Sequence, residues 1–205
     1  MNFLIILFLL FPNSSMYTPS DSTKPARITD DNIIFLYEAR AEIPAPDDKL
    51  YRFISIEYRR SEDEFTRHEL AQKIKPVLEK KLSEALKTKF ITVIIGDRLE
   101  EYDFDKSAFP TGISSGTYVP FDNGYAVTFE NADKLTYLKV PFEKAKLLSR
   151  QLQRNRRTQI IIKAQIIGAE EKRLRWNIDK VLKTKISQLT LKLSSGKTVG
   201  TIKIK

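Results

Sequence analysis

The densest run of groups able to do chemistry is Glu100-Glu101-Tyr102-Asp103-Phe104-Asp105. In an extended chain, side chains alternate between faces, which puts Glu101, Asp103 and Asp105 together and Tyr102 and Phe104 on the reverse. Three carboxylates on one face suit calcium or a general acid/base pair, and a hydrolase built here would use these three. The run lacks calcium-loop spacing, however, and carries aromatic residues where such a loop turns on glycine. The plainer reading is a solvated strand face, with Tyr102 and Phe104 as core anchors behind it.

Other chemistries are excluded by composition. The chain has no cysteine, so disulfides, thiolate metal sites and a cysteine nucleophile are out. The single histidine, His68, lies between Arg67 and Glu69 near the start of a helical stretch, where it reads as a surface residue. There is no Gly-x-Ser-x-Gly elbow, and Ser114-Ser115-Gly116 reads as loop. Seven glycines in 205 residues leave no glycine-rich phosphate cradle. No catalytic residue, metal site or cofactor is assigned, and the chain reads as a binding or structural protein rather than an enzyme.

Charge offers a second kind of site. The chain carries 35 Lys and Arg against 26 Asp and Glu, a net of +9. The imbalance is local: residues 139–205 hold 18 basic and four acidic residues, a net of +14, and residues 1–138 a net of −5. Such asymmetry fits a surface that faces a polyanion. Arginine suits phosphate and carboxylate, which singles out Arg150, Arg154, Arg156 and Arg157, with Arg173 and Arg175 just before the lone Trp176. The competing reading is that the lysines simply line the solvent faces of the C-terminal strands, as the spacing by two of Lys183, Lys185, Lys203 and Lys205 fits. The arginine group has its own alternative, pairing with the acidic N-terminal half. Tyr51, Phe53, Tyr58, Tyr118, Phe121 and Tyr125 are read as core rather than as a ligand groove.

These residues need elements to position them. A helix is expected after Thr29, ending before Pro44 and Pro46, and a strand over 51–58 on its aromatic and β-branched content. Phe65, Leu70, Ile74, Val77, Leu78, Leu82, Ala85 and Leu86 recur at three- and four-residue spacing and predict the longest helix, kinked or broken at Pro76. Strands follow over 90–95 and 99–104, then a long loop over 107–124. Two strands over 125–129 and 135–140 are joined by a turn at Asn131-Ala132-Asp133. A helix starts at Pro141, with Phe142, Ala145, Leu148 and Leu152 on one face. Strands over 158–167 and 174–178 precede a hairpin of 189–193 with 199–204 around Ser194-Ser195-Gly196-Lys197. The sum is an α+β domain with a largely antiparallel sheet of about seven strands and two or three helices.

Residues 3–11 are nine apolar residues in a row, too short to span a membrane and right for the apolar core of a secretory signal. The expected organisation is a signal peptide over 1–15, a Ser/Thr/Pro-rich tether over 16–28 and one domain over 29–205. The protein is then periplasmic or secreted. Its partners would be an envelope protein, an anionic glycan or a lipid. Were Met16 the true start, the chain would be cytoplasmic and nucleic acid would enter as a partner.

Three segments carry a resemblance: Tyr102-Asp103-Phe104-Asp105-Lys106-Ser107-Ala108-Phe109-Pro110, Phe129-Glu130-Asn131, and Leu138 to Leu148 with Pro141, Glu143 and Ala145. With the arginines and β-rich strand after them, they resemble an uncharacterised bacterial envelope family, a domain of unknown function. The resemblance implies an exported α+β protein and brings no catalytic residue or cofactor to carry over.

Overall fold

The computed structural model describes residues 24–152, 156–174 and 177–204. The signal and most of the tether expected from the sequence, together with Arg154, Arg175, Trp176 and Lys205, lie outside them.

A two-residue strand, β1 (Ala26–Arg27), leads into α1 (Asp30–Glu38). The Thr29 N–H donates to Asn32 Oδ1 at 2.8 Å and holds the helix start. Ile33, Ile34, Phe35, Leu36 and Tyr37 are all buried, so α1 is enclosed on every side rather than amphipathic. Two helices come next, α2 (Asp47–Ile54) and α3 (Ile56–Arg60), where the sequence suggested a strand. The aromatic content misled, because Leu50, Tyr51, Ile54 and Tyr58 recur with helical period. Asp47 and Asp48 sit at the positive end of α2. Tyr58 Oη donates to Asp48 at 2.8 Å, and the Tyr51 and Tyr58 rings meet edge to face at 5.4 Å.

The long helix α4 (Glu64–Lys87) forms as expected, with Asp63 accepting the Thr66 N–H at 2.6 Å, but it runs unbroken through Pro76. Ile74, Leu78 and Ala85 bury its inner face, whereas Phe65, Val77 and Leu86 from the expected stripe stand exposed.

The strands are β2 (Phe90–Arg98), β3 (Ala108–Pro110), β4 (Tyr118–Pro120), β5 (Tyr125–Phe129), β6 (Tyr137–Lys139), β7 (Arg157–Leu174), β8 (Asn177–Leu193) and β9 (Thr198–Lys203), with α5 (Phe142–Gln151) before β7. The main sheet runs β1-β2-β7-β8-β5-β4, with β9 also on β8, and β3 and β6 form a separate pair. The sheet is mixed rather than wholly antiparallel: β2–β7, β7–β8, β8–β9 and β4–β5 pair antiparallel, while β1 runs parallel to β2, and β5 parallel to β8. Both pairs are separated in the chain by whole elements, the crossover a parallel pair requires.

No strand forms over 99–104; a single bridge joins Asp103 to Ala108. Nor do β5 and β6 form a hairpin. Past β5, the Asn131 side chain donates to Ile186 O at 2.9 Å and accepts from Ile186 N at 2.8 Å, pinning the chain against β8. The register of β7 and β8 shifts at this point, and Asn131 satisfies the displaced backbone. The hairpin of β8 and β9 forms as expected, though β8 begins a dozen residues earlier than the apolar 189–193 run suggested. Among the described residues, no helix is long and apolar enough to cross a membrane.

Candidate anion-binding groove

Helix α5 follows Pro141, and its buried Ala145 and Leu148, with Leu152 just past its end, fix its rotation. Phe142, Lys146 and Arg150, four apart, then form one ridge along an exposed side, and Ala145 and Ser149 lie beside it. Phe142 does not join the buried face as expected; it is 52% exposed.

The facing wall is the segment after β2. Tyr102 is buried there, its hydroxyl donating to Val140 O at 2.8 Å and its ring edge-on to Phe109 at 5.1 Å and Phe104 at 5.4 Å. Phe104 is not the core anchor the alternation predicted. It is 72% exposed and stands at the rim, 6.4 Å from Phe142 between ring centres. Arg156 closes the third side, its Nε donating to Leu99 O at 2.7 Å and its Nη2 to Glu100 O.

Tyr102, Phe104, Phe142, Ala145, Lys146, Ser149, Arg150 and Arg156 enclose a cleft of about 380 Å³. Arg156 also borders a shallower neighbour of about 570 Å³ with Arg98, Leu99, Glu100 and Glu101. Among the described residues, no carboxylate lies within ion-pairing distance of Lys146, Arg150 or Arg156. Unpaired cations beside exposed aromatic faces can hold a phosphate, sulfate or carboxylate together with an apolar body.

The other arginines are dispersed. Arg157 opens β7 opposite Arg98, and its carbonyl accepts the Ser194 N–H at 3.2 Å. Arg173 lies near the other end of β7, 16 residues on at about 3.3 Å each, so roughly 50 Å along the strand. The carboxylates do not share a strand face, because residues 103–107 turn back on themselves. Asp103 accepts the Lys106 N–H at 3.0 Å, pairs with Lys106 Nζ at 3.3 Å, and is held below the usual carboxylate range chiefly by that backbone bond. Asp105 is exposed at the turn, and Glu101 points to the shallow neighbouring cleft. Among the described residues, no group of three acidic or histidine side chains gathers into a cation site. His68 is exposed on α4, bonded to Gln72 at 2.9 Å. Of the aromatic candidates, Tyr51, Tyr58 and Tyr125 are buried and Phe53 is partly exposed.

One cluster gave no signal as a site. Glu38, whose side chain is fully enclosed, pairs with Lys180 Nζ and accepts from Tyr125 Oη at 2.7 Å and Ala45 N at 2.6 Å. Lys180 Nζ also lies over the Tyr37 and Tyr125 rings at 5.3 and 5.5 Å. Burial, then nearby Glu171, Glu38 and Glu170, pushes the Tyr37 phenol up to about 12, and burial with the Glu38 bond raises Tyr125 further. The cluster ties α1 to β5 and β8. The one hint was an acid ending a wholly apolar helical run, which must find a partner when buried. Lys183 likewise pairs with Glu130 and Glu170, at 3.3 Å each.

The fold and groove together describe an α+β domain that carries an open basic and aromatic cleft. The chain belongs to the family defined by a domain of unknown function (DUF4852), whose model matches residues 48–150. That span runs from α2 through most of α5 and includes every groove residue except Arg156. Neither a curated protein nor a solved structure matches the chain.

Proposed function

We propose that the protein is an exported, non-catalytic binding protein of the bacterial envelope, and that its ligand is anionic and held in the groove beside α5. The observation that carries the reading is the convergence of Lys146, Arg150 and Arg156 on one cleft with no acidic partner among the described residues. Export is supported by the apolar run at residues 3–11.

A broad polyanion surface over the whole C-terminal half is the second reading. The +14 charge of residues 139–205 favours it. Against it, Lys180 and Lys183 already serve acidic partners within the fold, and Arg173 is remote from α5.

Binding of pyrophosphate and of a sulfated hexasaccharide, followed by calorimetry across a salt series, separates the two. If the groove is the site, K146Q/R150Q weakens both ligands about tenfold or more. It also makes the affinity for both ligands less steeply dependent on salt. Unchanged affinity in that variant, or no binding by the unaltered protein at low salt, overturns the reading. Intact mass and cell fraction in the native host test export: a chain beginning between residues 16 and 21 in the envelope supports it, and a cytoplasmic chain starting at Met16 removes it.

A further inference from the structure

The groove is polarised along its length. Phe142 opens α5 and Arg150 lies eight residues on, which at 1.5 Å per residue is about 12 Å along the axis. Phe104 joins Phe142 at one end, and Arg156 borders the cleft along with Arg150, with Lys146 midway along the helix ridge. Two large rings kept in water at one end of a cleft are costly surface unless something covers them.

Resting on the reading above, we infer that the groove takes a single-headed amphipathic anion, a phosphate or carboxylate carrying an acyl or aryl body. The head sits at Arg150 and Arg156, with Lys146 within reach, and the body crosses Phe142 and Phe104. A long polyanion fits less well, because its evenly repeated charges would have to lie across both phenyl rings. A volume of about 380 Å³ falls within the range of small-molecule sites. Arg156 is already braced by two backbone carbonyls, so the guanidinium is set in place before any ligand arrives.

The test compares dihexanoyl phosphatidic acid, kept below its micellar concentration, with glycerol 3-phosphate, using the full chain. The lipid is expected to bind about tenfold or more tightly than its head group, a gain on the order of 1.4 kcal/mol. F104S/F142S should abolish that gain while leaving glycerol 3-phosphate binding intact. Both rings are largely in solvent, and an unchanged urea midpoint verifies the fold. K146Q/R150Q should lose both ligands. Vesicles of phosphatidylcholine doped with phosphatidylglycerol distinguish the sources. Binding to monomeric lipid with vesicles ignored supports a free amphiphile, and ring-dependent vesicle binding supports a bilayer lipid. The ring variants keep the apolar run at residues 3–11, so their difference from the unaltered protein reports the groove. Equal affinity for lipid and head group, indifference to F104S/F142S, or equal binding of dihexanoyl phosphatidylcholine overturns the inference. Any of these alongside pyrophosphate binding that K146Q/R150Q still weakens leaves the anion-binding reading standing. Absence of all anion binding removes both.

Discussion

Glu38 is a charge held without water, and its worth depends on its three partners. Replacing it by alanine strands Lys180 beneath two tyrosine rings and leaves the Tyr125 hydroxyl and the Ala45 N–H unmatched. Glu38→Ala is expected to cost about 3 kcal/mol in urea unfolding, and Glu38→Gln less, because the amide oxygen can still accept. Alkali probes the same place. Tyr37 in the fold ionises near 12 instead of 10, so the folded chain holds that proton more tightly than the unfolded chain. Its contribution is complete below pH 10 and is lost as pH rises from 10 to 12. Phenolate absorbance should therefore show Tyr37 and Tyr125 ionising above the range of a free tyrosine while the fold holds, and a urea midpoint unchanged between pH 10 and 12 would refute this. Beforehand, only the acid at the end of an apolar helical run hinted at it, and its partners were not legible. Glu38 and Lys180 stand 142 positions apart, and no local pattern announces a pair that only tertiary packing creates. Phe104 misread for a related reason. Alternation places a ring on the inner face only if the backbone stays extended, and the Asp103 turn ends that extension.

At the scale of elements, long periodic segments were legible and short ones were not. The α4 stripe and the β2 run carry enough repeats to outvote local ambiguity. The 51–58 segment has rings and β-branched residues in a short span, and the two acids before it decide for helix. Pro76 sits on the exposed side of α4 and lacks the N–H that would complete a turn. Pro76→Ala is expected to stabilise the protein by about 2 kcal/mol by urea titration, since interior proline costs about 3 kcal/mol relative to alanine and some of that is already relieved. No gain would mean the helix has fully absorbed the proline. Gly200 on β9 gives the opposite case. A Cβ there would lie 3.0 Å from Leu138 Cδ1, in the packing between β9 and β6. Gly200→Val should cost about 1–3 kcal/mol through overpacking, read from the same titration. A neutral result would show that Leu138 has room to move.

Across the whole molecule, the charge imbalance was real but its geography was hidden. Part of the positive surplus of the C-terminal half is matched by Glu38 and Glu130 of the N-terminal half, and the three cations that matter to the groove lie along α5 and just before β7. Sequence order could bring Arg150 and Arg156 together but could not show that Phe104, from the acidic run, faces them. The antiparallel expectation missed only the two parallel pairs, β1 with β2 and β5 with β8, since strand direction is decided by what lies between strands. A final consequence follows from β8. It pairs with β7 along its length, with β5 through residues 180–184 and with β9 through 188–192. Strand β5, with β4 on one side, must therefore wait for its second partner made some fifty residues later, and no stretch ending before residue 177 can close the sheet. Truncation after Leu174 should leave a chain with no cooperative unfolding transition by circular dichroism, whereas a cooperative one would show an independent core. A protein assembled in this order stays open for most of its synthesis. That is the condition in which a chain can be threaded through a narrow passage before it acquires a shape.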